Sequence, residues 1–255
     1  PAVLNRSGAG AASYTSVNII PGNDGLSVNS NLADACIKFN NAANVTLDGD
    51  NPITTGTNRN LSLINTEPTG SSVVWIGGST GAIADNVVLK NCNINNGSQN
   101  SSAVILSDAG TMGSAGYFTN ITIQNNNIQK AFIGVYCIAA TVAGNGSNTL
   151  VTGNELNTAG ANSISRIGLY AQGLDGITFS KNDVGNFNSA TDELDMGIWL
   201  ASGTTNSIIE NNVLHDIKYT ETNGYGGKGV AISTGLPASN NTIKNNMIYA
   251  ITGDG

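Results

Sequence analysis

The sequence predicts an all-β fold, a parallel β-helix of about seven coils, from two interleaved repeats and from the residues at their corners. The first repeated phrase is an Asn, alternating apolar residues, an Asn-rich corner and another apolar residue. It recurs roughly every 28 to 42 residues, a spacing typical of solenoid coils. Its clearest copies span residues 86–94, 120–128, 206–214 and 240–248.

The second phrase is a small residue followed by an apolar residue, any residue and an apolar residue. Because side chains alternate along a strand, its second and fourth positions share one face and its third position lies on the other. The apolar positions are mostly Val, Ile and Leu, which suit a buried pleated surface. Each coil is therefore predicted to carry at least two strands. The copies span 73–76, 103–106, 134–137, 168–171, 197–200 and 229–232.

The corners are rich in Asn, Gly, Asp and Ser, which tolerate left-handed backbone and bond to nearby backbone groups. Where a corner Asn recurs in successive coils, its amide can donate to one neighbouring coil and accept from the other. The sequence predicts such an asparagine ladder from Asn91, Asn125, Asn211 and Asn245.

Composition limits the classes of partner. With 255 residues and 40% apolar content, the chain can form one elongated solenoid domain. The ten basic residues are scattered and the net charge is −7, which disfavours nucleic acid. No apolar run approaches the roughly 20 residues of a membrane span. Cys36, Cys92 and Cys137 form no disulfide framework and are predicted to be buried free thiols.

Residues 1–31 are the least repetitive and are predicted to form an irregular opening coil or a partial N-terminal cap. Residues 32–255 are predicted to form the β-helix. An uncapped terminal coil exposes strand edges and core, and the sequence shows no C-terminal cap. We therefore expect a slice of a longer chain, with flanking domains as partners.

Residues 240–248 and 197–203 resemble repeats of right-handed parallel β-helix proteins in the pectate-lyase-like superfamily. That resemblance implies a right-handed coil, in a superfamily that includes lyases, hydrolases and adhesins. Residues 44–52 and 59–65 are similar to long Asn-, Thr- and Gly-rich surface proteins of Bacteroidota, often exported by type IX secretion. This second resemblance implies a secreted or cell-surface bacterial protein that uses the secretion machinery.

The motifs of the superfamily's enzymes are not found. β-Elimination requires a basic residue and carboxylates that hold calcium, and none of Arg6, Arg59 and Arg166 lies in a lyase motif. A hydrolase would require paired aspartates, a His-Gly and a later Arg-x-Lys. The single histidine, His215, is followed by Asp216 instead.

Two loops hold the remaining catalytic candidates. Asp192 and Asp195 belong to an acidic loop that can bind calcium or supply an acid and base pair. His215 and Lys218 begin a second loop, which also contains carboxylates and two tyrosines. A solvated surface loop is the preferred interpretation of each, because spacing alone does not bring the carboxylates within catalytic distance. No cofactor is predicted. Calcium binding is possible but is not decided by the sequence, because corner Asp and Asn side chains can bond to nearby backbone groups as readily as to an ion.

The third position of the second phrase gives a row of residues predicted to face outward on one sheet. In a chain with 5% aromatic residues, four of its six members are Trp or Tyr. Rings about 4.8 Å apart would form a strip able to stack on sugar rings, so these four are the predicted ligand-binding residues. The preferred alternative is that the rings pack on each other and are covered by insertion loops such as 107–119. The row is Trp75, Ile105, Tyr136, Tyr170, Trp199 and Ala231.

Three functions follow from these observations. The first is a non-catalytic segment of a secreted or cell-surface protein, acting as an adhesin, stalk or glycan-contact surface with polysaccharide as partner. The second is a lyase or glycoside hydrolase acting on an acidic polysaccharide. The third is a passive secretion cargo or structural repeat. The first is preferred, because the coil is clearly encoded and the catalytic motifs are not.

Overall fold

The computed structural model describes residues 1–189, 195–220, 226–235 and 238–253. Their strands form three parallel sheets of eight strands, and each sheet takes every third strand of the chain. The one helical segment in these ranges is the 3-10 turn Gly160–Asn162. The structure confirms an all-β parallel β-solenoid of about seven turns, with three strands in a coil.

The strands of each sheet stack in coil order. Sheet A contains β1 (Ala2–Asn5), β4 (Ala35–Asn40), β7 (Ser72–Gly77), β10 (Val104–Ser107), β13 (Ala131–Ile138), β16 (Ile164–Gln172), β19 (Met196–Leu200) and β22 (Lys228–Ile232). Sheet B contains β2 (Val17–Ile19), β5 (Ala43–Asp48), β8 (Ala84–Lys90), β11 (Phe118–Gln124), β14 (Leu150–Thr152), β17 (Thr178–Ser180), β20 (Ile208–Glu210) and β23 (Thr242–Lys244). Sheet C contains β3 (Leu26–Ser30), β6 (Leu61–Asn65), β9 (Cys92–Asn95), β12 (Asn127–Gln129), β15 (Glu155–Leu156), β18 (Asp183–Ser189), β21 (Val213–Tyr219) and β24 (Met247–Tyr249).

Residues 1–31 supply the first strand of each sheet. β1, β2 and β3 pair in register with β4, β5 and β6 of the next coil. The segment therefore continues the strand pairing of the solenoid, and its role as an opening coil or a partial cap stays a prediction.

The core is a column of inward-facing side chains enclosed by the three sheets. As the alternation predicts, Val74 and Ile76 are fully buried in this column, on either side of the outward Trp75. Phe39, Phe118, Phe179 and Phe187 are fully buried in the same column. Cys36, Cys92 and Cys137 are buried free thiols, as predicted. Burial raises the pKa of the Cys92 thiol to about 12, which keeps it protonated and unreactive.

The predicted asparagine ladder exists only in part at the expected positions. Asn125 donates from Nδ2 to Asn91 Oδ1 at 2.8 Å. The next two coils place Gly153 and Lys181 there, so the row is interrupted before Asn211. These corner residues all have positive φ values, which explains why Asn and Gly occur there.

A continuous, buried ladder runs one residue further along the chain. Each of the first four side-chain amides, which are buried, donates to the next Oδ1 at 2.9 to 3.0 Å and also to a backbone carbonyl of the preceding coil, and the half-buried Asn246 ends the row. Each Oδ1 also accepts a backbone N–H of the preceding coil. The prediction of the ladder was therefore wrong by one position: the corner residue itself has left-handed backbone, and the side chain of the next residue points inward and forms the ladder. The ladder is Asn126, Asn154, Asn182, Asn212 and Asn246.

Candidate functional site

The predicted outward row lies in register on sheet A. Strand pairing aligns each member with the next, one coil at a time. The aromatic side chains therefore lie on adjacent strands, as the sequence predicts. The aligned residues are Trp75, Ile105, Tyr136, Tyr170, Trp199 and Ala231.

The first part of the row is covered by the loop between β10 and β11. Trp75 is only 5% exposed. The Lys38 ammonium lies 3.5 Å from the Trp75 ring centroid and donates to the Ala109 carbonyl at 2.6 Å. Met112 packs against the same cluster. Burial lowers the pKa of Lys38, although Asp34 and Asp108 raise it. Loop cover, the alternative considered for the whole row, therefore describes this part of it.

The second part of the row is less covered than Trp75 at two of its three aromatic residues, Tyr136 and Trp199. We call Tyr136, Tyr170 and Trp199 the open aromatic patch, in which Tyr136 and Trp199 are half-buried and Tyr170 is 8% exposed. The rings of Tyr136 and Tyr170 lie 5.1 Å apart, and Tyr170 meets Trp199 edge-on at 5.2 Å. The Tyr170 hydroxyl donates to Gln172 Oε1, and the Trp199 indole donates to Ser233 Oγ, each at 2.6 Å.

An apolar border continues from the open aromatic patch toward the corner between sheets C and A. Ile133, Ile167 and Met196 are buried in the same outer cluster, with Phe132 partly buried beside them. The Arg166 guanidinium lies 4.8 Å from the Phe132 ring centroid. This outer face of sheet A therefore combines aromatic rings with polar groups at its margin.

His215 is the centre of a separate cluster on sheet C. Its Nε2 lies 2.9 Å from Asp183 Oδ1 and its Nδ1 lies 3.0 Å from Asp216 Oδ2. The imidazole stacks on Tyr249 with a centroid distance of 5.4 Å. Gly185 lies opposite His215 in the preceding coil and leaves space for the ring. Histidine therefore links three successive coils.

Lys218 joins this cluster through Asp216. Its ammonium lies 3.4 Å from Asp216 Oδ1. Hydrogen bonds from His215 and Lys218 hold the pKa of Asp216 below its usual value, so Asp216 is charged at neutral pH. Asp216 and Lys218 line a groove of about 470 Å³, which we call the corner groove. Its other lining residues are Gln99, Ala159, Gly160, Ser163 and Asn186.

Asp195, the third catalytic candidate, lies elsewhere. It directly precedes β19, its side chain is 0% exposed, and neither carboxylate oxygen has a hydrogen-bond partner among the described residues. Burial raises its pKa to about 7, although the charge of Arg166 acts in the opposite direction. Asp195 is not among the residues lining the corner groove. Asp192 lies outside the described residues.

The structure therefore brings His215 and Lys218 together and leaves Asp195 apart from them. Sequence reasoning missed Asp183, Gln99 and Asn186. Aligning the coils could have found Asp183, because it opens the sheet C strand of the coil before His215. No periodic signal identifies Gln99, which lies in a corner insertion.

Neither a metal site nor a membrane helix is found in the described part of the chain. It contains no group of three or more His, Cys, Asp or Glu residues placed to hold a metal ion. No helix there is long and apolar enough to cross a bilayer. Calcium binding stays an open prediction.

The fold places this chain among the parallel β-helix proteins. Comparison with protein-family models and with curated protein sequences finds no match. Among solved structures, it is similar to tailspike protein gp49 from Acinetobacter baumannii bacteriophage Fri1, a capsular polysaccharide depolymerase. The two are 12% identical with a TM-score of 0.33, over 90% of this chain and 48% of the tailspike. The chain thus spans about half the tailspike's length, and so remote a likeness carries no functional argument. The resemblance to Bacteroidota surface proteins gains no support from these comparisons.

Proposed function

We propose that this chain is a glycan-contacting β-helical segment of a secreted or cell-surface protein and that it binds polysaccharide through the open aromatic patch. The observation that carries the proposal is the contact series Tyr136, Tyr170 and Trp199 on the outer face of sheet A. Aromatic rings offer apolar faces to the C–H faces of sugars, and nearby polar groups bind the hydroxyls.

The polar margin of the patch supports this choice of ligand. The hydrogen bond from Trp199 to Ser233 fixes the indole, and the bond from Tyr170 to Gln172 fixes the phenol. Rings held in place before binding lose less conformational entropy when a ligand arrives. The amide nitrogen of Gln172 and the hydroxyl of Ser233 can still donate to sugar hydroxyls.

Cleavage of an acidic polysaccharide and a passive structural repeat are the alternative functions, and one experiment separates all three. Wild type, Trp199→Ala and Tyr14→Ala are screened on a glycan array, and the bound glycans are then checked for cleavage. Tyr14→Ala is the matched control, because Tyr14 is a half-buried aromatic residue whose hydroxyl donates to the Asn5 carbonyl at 2.8 Å and it belongs to neither the patch nor the His215 cluster. Circular dichroism confirms that each variant is folded.

We expect Trp199→Ala to weaken glycan binding about tenfold, a loss typical of one stacked aromatic ring, and Tyr14→Ala to leave binding unchanged. Equal loss in both variants would refute the assignment to sheet A. Release of cleaved product by the wild type would establish the enzymatic alternative. Absence of binding and cleavage would favour a structural repeat.

A further inference from the structure

The corner groove contains polar atoms that no group of the described residues satisfies. Gln99 uses its amide nitrogen on the backbone and hydroxyl oxygens of Ser163, at 3.0 and 3.2 Å, which leaves Oε1 as an acceptor. Asn186 donates from Nδ2 to the Asn157 carbonyl and likewise retains Oδ1. Among the described residues Lys218 makes one ion pair, at 3.4 Å, and its ammonium has three N–H donors in all. Acceptors and donors therefore occur together along one groove.

The charge of the groove is balanced. Asp216 and Lys218 are the charged side chains among its lining residues, and they pair with each other. An anionic ligand would meet the Asp216 carboxylate, whose low pKa keeps it charged, and a cationic ligand would meet the Lys218 ammonium. A neutral ligand avoids both repulsions.

The size of the groove and its small lining residues leave room for a small ring-shaped ligand. Its volume of about 470 Å³ falls in the usual range for small-molecule sites. Ala159 and Gly160 are exposed and have small side chains or none, and the space beside the Gly160 Cα is open. Ser165 Oγ donates to the Gln99 carbonyl at 2.7 Å, which fixes the Gln99 loop to β16. The wall is therefore held in place before a ligand arrives.

We propose that the corner groove binds a neutral, hydroxyl-rich saccharide unit, at a site separate from the open aromatic patch. Gln99 and Asn186 accept hydrogen bonds from sugar hydroxyls, Lys218 donates to them, and Ala159 and Gly160 contact the ring. The choice of a saccharide among neutral hydroxylated ligands rests on the proposed glycan-contact function. The groove adds a subsite that distinguishes sugars by the arrangement of their hydroxyl groups.

The test uses saturation-transfer NMR with maltose, cellobiose and N,N′-diacetylchitobiose at millimolar concentration, and glucuronic acid as the anionic comparison. Two variants alter the groove in different ways: Ala159→Phe fills it, and Lys218→Met removes the donor. Lys244→Met is the matched control, since Lys244 is also an exposed lysine paired with a carboxylate, at 3.0 Å from Glu210.

We expect at least one neutral sugar to bind. Its affinity should fall about tenfold in Lys218→Met, because a charged hydrogen bond is lost, and about tenfold in Ala159→Phe, because the phenyl ring fills the groove. The affinity should persist in Lys244→Met. All groove variants are compared on a Trp199→Ala background, so that sugar bound at the open aromatic patch does not contribute to the measured affinity. The proposal is overturned if no neutral sugar binds, if glucuronic acid alone binds, or if neither groove variant changes the affinity.

Discussion

Gly185 and His215 occupy the same register position in neighbouring coils of sheet C, and the imidazole lies against the glycine backbone. A Cβ atom at position 185 would lie 2.9 Å from both ring Cε1 and Nδ1 of His215, and closer still to its carbonyl oxygen. Such contacts do not occur in relaxed proteins. The glycine is therefore required for His215 to reach Asp183 and Asp216.

Gly185→Ala should displace His215 and break its contacts with both aspartates. We expect it to lower the free energy of unfolding by about 1 to 3 kcal/mol, the usual cost of an overpacked site. Denaturant unfolding measures this change. Gly22→Ala is the control, because a Cβ atom there meets no atom within 4 Å. Equal stability of the two variants would show that the imidazole is not held against residue 185.

The buried asparagine ladder should carry stability that exposed asparagines do not. Asn154→Ala removes the acceptor of the Asn126 amide and the donor to the Ile123 carbonyl, both at about 3 Å. Each unsatisfied buried group costs roughly 1 to 3 kcal/mol. We expect a larger loss of unfolding free energy than for Asn29→Ala, whose exposed side chain donates from Nδ2 to Ser27 Oγ. Similar losses in the two variants would contradict a stabilising ladder.

Arg59 should hold the loop between β5 and β6 against the solenoid. Its guanidinium binds both Glu155 oxygens, at 2.8 and 3.0 Å, and two oxygens of Asn125, each at 2.9 Å. Arg59→Lys keeps the charge but loses the planar fork. We expect faster proteolysis within residues 51–58 and a change in unfolding free energy below about 1 kcal/mol, because the pair is partly exposed. A loop cleaved at the wild-type rate would exclude this role for Arg59.

Much of this fold is local in origin, and the sequence predicts that part well. Alternation of period two decides which face each strand residue occupies, so Trp75 and Trp199 fall in register on sheet A as predicted. The ladder prediction missed by one residue because a left-handed corner changes direction within a single residue. The approach of Asp183 to His215 emerges only when successive coils are aligned, and the burial of Asp195 depends on tertiary packing that no local pattern contains.

Asp195 should make stability depend on pH with a sign opposite to that of most carboxylates. Burial raises its pKa from 3.8 to about 7, so the folded protein keeps this proton over a pH range in which the unfolded chain has released it. Between those two values the folded state binds more protons, and the free energy of unfolding falls as pH rises. Above about pH 7 the loss is complete.

Asp195→Asn removes this titration and leaves the other carboxylates in place. Asp48, Asp175 and Asp216, whose pKa values are lowered, act in the opposite direction in both proteins and cancel in the difference. We therefore expect the stability of Asp195→Asn relative to wild type to increase from pH 4 to pH 7 by up to about 1.4 kcal/mol for each pH unit, then to stay level. The test is the pH dependence of this stability difference and not its absolute size, because burying an amide changes the stability by the same amount at every pH. Urea unfolding across this pH range measures it, and parallel curves for the two proteins would mean that Asp195 titrates normally in the folded state.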